Sequence, residues 1–148
     1  MNAPKVALRI AAVLWFIWGA VHTFAGVITI ARPTALALGG IADAVDPSAL
    51  DMLYPDAAGA IVNQHGWNLA WGGVWTMICA PFVWRGDVRG IVLAGLVGGL
   101  LDIGYFVFLD LGGFVHFVPG TVMTIFSGSA IALSVYGYLA SRTLAAAS

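Results

Sequence analysis

Two stretches of this chain, Ile10 to Ala31 and Ala57 to Trp84, run without a single formal charge. A third, Gly90 to Leu109, carries only Asp102, and a fourth, Leu111 to Ser141, carries none. A helix rises about 1.5 Å per residue and the hydrocarbon core is about 30 Å thick, so about 20 apolar residues span it. The runs are continuous rather than alternating, and an α-helix satisfies its own backbone in lipid. The expected fold is an all-α integral membrane protein, one domain over residues 1–148. It is a four-transmembrane-helix bundle with spans near 7–31, 57–84, 89–110 and 113–141 and an outer loop at 32–56.

Composition agrees. Of 148 residues 61% are hydrophobic and 9% charged, and the mean hydropathy is +0.95; a soluble domain carries roughly 25% charged residues. The six Lys+Arg are scattered and the formal net charge is -1, which excludes a nucleic-acid partner. The single Cys79 makes no intrachain disulfide.

Lys5, Arg9, Arg85, Arg89 and Arg142 fall on one side of the expected spans and only Arg32 on the other. The positive-inside rule then puts both termini in the cytoplasm, in a bacterial inner membrane, with Asp43, Asp46, Asp51 and Asp56 of the long loop outside. The alternative for the first span is a signal peptide, with Thr23-Phe24-Ala25 as a loose cleavage site, but its apolar run is longer than a typical signal core. In the loop, Asp46-Pro47 reads as a cap and first turn, opening a short helix through Leu50 and Leu53. With Tyr54 on the same side, that helix is expected to lie on the membrane as an amphipathic lid, or else to be a plain connector.

Helical wheels give each span one face of small and polar residues. His22 lies with Trp15, Trp18, Gly26 and Thr29; His65 with Asn68, Gly72, Thr76 and Cys79. Asp102 lies with Gly95, Gly98, Tyr105 and Phe106; His116 with Gly120, Met123, Ser127, Ala130 and Ser134. Helices in lipid associate through small residues and interhelical hydrogen bonds, so these faces are expected inside, with Gly95 and Gly99 as a close-contact step. Trp67, Trp71 and Trp75 recur on another flank of the second span, where packing against a helix or lipid headgroups is the ordinary reading.

Depth carries the functional signal. His22, His65 and Asp102 come from three spans, each roughly 12 to 14 Å below the outer surface, and a buried acid in a span needs a partner. Two histidines and a carboxylate match a zinc or non-haem iron ligand set, with Asn68 or Tyr105 as hydrogen-bond partners of those ligands. Bis-histidine haem, held by His22 and His65, is the weaker fit because Trp15 and Trp18 crowd the face. His116 is shallower and reads as an interfacial or capping residue at the mouth of the site.

In length, span layout and the Arg9-to-His22 spacing, the chain resembles the small four-span DoxX-like bacterial membrane proteins. That resemblance implies the bundle and assigns no functional residue. The leading reading is a site at His22, His65 and Asp102, completed by Trp18, Asn68, Tyr105 and His116. It would bind a divalent metal or an apolar, lipid-like small molecule, with His/Asp acid–base chemistry if it is an enzyme. A proton- or ion-coupled homo-oligomeric conduit with Asp102 as its protonatable residue is the alternative, and a purely structural polar core the third.

Overall fold

The computed structural model describes residues 2–146. Helix α1 (Ala3–Ala31) opens on Asn2, whose side chain accepts from the Lys5 amide, and ends at Arg32 before Pro33. Two short helices follow, α2 (Thr34–Ile41) and α3 (Pro47–Leu50). Then come α4 (Asp56–Arg85) and α5 (Val88–Tyr105), the latter continuing as a wide π-helical turn over Phe106–Asp110. A further wide turn, Phe117–Thr121, leads into α6 (Val122–Ala146).

The turn between α4 and α5 is built from local chemistry. Gly86 caps α4 at φ 75°, a left-handed conformation that a side chain would strain. Asp87 then caps α5 by accepting from the Arg89 amide at 2.9 Å, and this bond holds its carboxyl below the usual carboxylate range. Asp46 behaves alike at α3, where the Ser48 amide and hydroxyl both donate to it.

Three helical stretches are long and apolar enough to cross a membrane: Ala3–Ala31, Val88–Asp110 and Phe117–Ala146. The expected fourth, α4, has 30 residues but carries Asn63, Gln64, His65 and Asn68 in its first half, which dilute its hydropathy. The four long helices form a ring in which α1 packs on α4 and α6, and α5 on the same two. Apolar side chains face outward: Phe24 and Leu100 are 68% and 65% exposed, whereas Trp15 and Trp18 are 0% exposed. Lipid, not water, suits that distribution.

Small residues set the closest helix approach. A Cβ built on Gly19 would sit 2.5 Å from the Gly73 carbonyl oxygen, and one on Gly26 2.3 Å from that of Gly66, so α1 and α4 meet backbone to backbone. The expected step at Gly95 and Gly99 does not do this, because a Cβ on Gly95 would meet nothing within 4 Å. On α5 it is Gly98 that matters: its missing side chain admits the Trp15 ring, which a Cβ there would approach to 2.4 Å. Two tryptophans of α1 thereby fill the bundle centre and reach the diagonally opposite helix.

The connection from α1 to α4 and the start of α6 differ from expectation in three ways. Residues 32–56 are not an open loop with one short helix, because the apolar run TALALGGI winds into α2. The short helix stops at Leu50, and Leu53 is fully exposed, at 101%; the side chain that reaches back is Tyr54, whose hydroxyl donates to the Leu50 carbonyl. The last span begins at Phe117 rather than 113. Val118 is extended ahead of Pro119, as proline imposes on the residue before it.

Candidate functional site

Helix α1 places Trp18 and His22 one turn apart, so their rings stack at 3.7 Å between centroids and 19° between planes. Asp102 reaches them from α5. The Trp18 indole Nε1–H donates to Asp102 Oδ2 at 2.9 Å, and His22 Nε2 lies 3.7 Å from Asp102 Oδ1. Asp102 is 4% exposed; Ser127 of α6 also lies against its carboxylate, while the Ser127 hydroxyl donates to the Thr124 carbonyl. A carboxylate at the bundle centre is thus held by groups from two other helices.

The hydrogen bonds constrain the protons. His22 Nδ1 lies 2.8 Å from the Trp18 carbonyl oxygen, which can only accept, so Nδ1 carries a proton. A separation of 3.7 Å exceeds a direct hydrogen bond, so the two groups meet only through a third polar atom lying to one side of them.

Two cavities meet at this point. One, about 330 Å³, lies under α2 and is walled by apolar residues including Ala25, Leu36, Ala37, Ile41 and Met123, with Arg32 at its rim. The other, about 360 Å³, lies between α4 and α5 and is lined by Asn68, Leu101, Asp102 and Phe108. His22, His65, Leu69 and Tyr105 line both. The polar groups form the partition between two apolar chambers.

Of the expected residues, His22, Asp102 and Trp18 come into direct contact; His22, His65 and Tyr105 line both cavities, Asp102 only the second, and Trp18 neither. Asn68 lines the second chamber, but its Oδ1 accepts from the surface Trp71 at 3.2 Å. Trp67, Trp71 and Trp75 stand outside, 63%, 42% and 40% exposed. His116 takes no part: it is exposed, its amide donates to Asp43 Oδ1 at 2.7 Å, and it lines neither chamber. The wide turn that starts α6 late carries it out of the helix register, and Pro119 and Gly120 occupy the chamber wall instead.

The metal expectation is not met by this geometry. Among the described residues no group of three His, Cys, Asp or Glu side chains is arranged to hold a metal ion. The Asp102 oxygens are already shared between Trp18 and His22. A haem plane does not fit against His22 either, since Trp18 covers its ring face and its Nε2 faces Asp102.

One contact had no counterpart in the sequence reading. Asp110, at the end of the wide turn after α5, accepts from Thr121 at 2.6 Å and Thr124 at 3.1 Å. The i, i+3 threonine pair on one helix face is the signal that could have found it. Together with the Ala44 amide on the Phe114 carbonyl at 3.1 Å and the His116–Asp43 bond, it ties the C-terminal end of α5 and the N-terminal end of α6 to the α2–α3 segment. No protein-family model, no curated protein and no solved structure matches this chain.

Proposed function

We propose that this is a four-span integral membrane protein that holds an apolar, lipid-like small molecule in the chamber under α2, its polar end against His22, His65 and Tyr105. The observation that carries the reading is the buried Trp18–Asp102–His22 network at the junction of two chambers. Apolar walls with a few convergent polar groups are what small-molecule sites are made of. His22, on the wall of the chamber under α2 and with its Nε2 3.7 Å from Asp102 Oδ1, is the group placed to exchange a proton with a ligand oxygen, which is the acid–base chemistry such a pair supports. Asp102 lies inside a single chain, 4% exposed, which favours an enclosed pocket over a conduit formed between subunits. The reading takes α4 as the fourth span, with His65 and Asn68 of its first half on the chamber walls and its outward tryptophans facing lipid or headgroups.

Benzophenone is a suitable probe, being apolar with one hydrogen-bond-accepting carbonyl and a photochemical preference for methionine C–H bonds. Irradiated with the purified full-length protein, it is expected to label Met123, on the chamber wall, more heavily than Met52, which is 61% exposed. Ala37→Trp, which fills the chamber, is expected to remove the Met123 label. Labelling that follows exposure, heaviest at Met52, would contradict the site.

A further inference from the structure

At the opposite end of the bundle, Lys5 and Arg9 of α1, Arg85 of α4 and Arg142 of α6 line one cleft of about 530 Å³. Two of these cations are braced by aromatic rings: the Arg9 guanidinium carbon lies 5.0 Å from the Trp84 ring centroid, and that of Arg142 lies 5.9 Å from that of Tyr138. Arg142 also donates to the Tyr138 hydroxyl at 3.4 Å. Among the described residues no aspartate or glutamate lines the cleft beside Lys5, Arg85 and Arg142. The cleft floor is apolar, with Leu8 beneath.

We propose that this cleft binds the phosphate headgroup of an anionic membrane lipid. All four cations lie within two turns of a helix end, where Trp84 and Tyr138 place the boundary between hydrocarbon and headgroups. Basic pockets between spans recognise acidic lipid headgroups, and guanidinium groups match phosphate oxygens in geometry as well as charge. The ring contacts limit the side-chain freedom that binding would otherwise remove. The proposal rests on membrane residence as proposed above but not on the chamber under α2, so lipid binding and benzophenone labelling can fail separately.

The test measures equilibrium binding of dihexanoyl phosphatidylglycerol, dihexanoyl phosphatidylcholine and inorganic phosphate to the full-length protein in neutral detergent. Phosphatidylglycerol is expected to bind more tightly than phosphatidylcholine, and less so as salt is raised. Each cation removed is expected to weaken it roughly fivefold, from about 1 kcal/mol per basic residue. Arg9→Gln with Arg142→Gln is the direct variant. Lys5→Gln with Arg142→Gln keeps the Trp84 contact should the first fail to fold. Arg89→Gln, a side chain 86% exposed and outside the cleft, is expected to leave the preference unchanged. Equal binding of the two lipids, a preference that survives both double variants, or inorganic phosphate binding as tightly as phosphatidylglycerol would each overturn the proposal.

Discussion

Replacing Gly19 by alanine is expected to destabilise the protein by roughly 1–3 kcal/mol, the usual cost of overfilling a packed contact. Alanine is the better helix former by about 1 kcal/mol, so propensity alone predicts the opposite sign. Packing wins because the new methyl would lie 2.5 Å from the Gly73 carbonyl oxygen and 2.6 Å from Thr76 Oγ1. Backbone cannot move aside as a flexible side chain can. Gly95→Ala is the matched control: it meets nothing within 4 Å, and is expected to be neutral or to stabilise by up to about 1 kcal/mol. Denaturant unfolding of both variants in detergent checks the pair. If the two shift stability alike, α1 and α4 do not pack through Gly19 and Gly73.

The second large effect is expected at Asp102, where Asn and Ala should part company. Asparagine can still accept from the Trp18 indole through its carbonyl oxygen, and its amide can donate towards His22 Nε2. It also removes an ionisable group whose insertion costs about 2.5–3.5 kcal/mol. Asp102→Asn is therefore expected to fold with equal or greater stability. Asp102→Ala leaves the Trp18 N–H unpaired at 0% exposure, costing about 1–3 kcal/mol by the penalty for a buried orphan donor. Values near the low end are expected, since interhelical hydrogen bonds in bilayers average about 0.6 kcal/mol. Thermal unfolding of both variants separates the outcomes; an alanine variant as stable as the asparagine one would mean that the carboxylate is not holding the indole.

Much of this was legible in the chain, and the reasons are specific. Charge-free runs longer than a bilayer crossing fixed the helices, and the wheel around each polar residue put Trp18, Thr76, Asp102 and Ser127 on inward faces, where all four are buried. Depth counting put His22 and Asp102 in one layer, and they meet. What failed was pairing. Gly19 with Gly26 and Gly66 with Gly73 are visible as seven-residue spacings, yet a spacing on one helix does not say which glycine it faces on another. The place of His116 is not legible, because a helical wheel runs a regular helix through residues 113–121, whereas Val118 is extended ahead of Pro119 and α6 starts only after the wide turn. For a metal, a common layer is not a common centre: among the described residues no three such ligands converge. The indole of Trp18, a polar donor on an aromatic body, fills the place of a third ligand, and a wheel drawn for hydrophobicity hides that role.

The central claim is that Asp102 binds the Trp18 indole at the heart of the bundle beside His22. The six tryptophans can be labelled with ¹⁵N and their indole N–H signals observed in detergent, that of Trp18 being assigned by its loss in Trp18→Phe. The signal is expected to be shifted downfield, to exchange more slowly in D₂O than that of the exposed Trp67, and to move in Asp102→Asn but not in Asp110→Asn. A Trp18 signal that exchanges as fast as Trp67 and ignores Asp102→Asn would contradict the network and the site built on it.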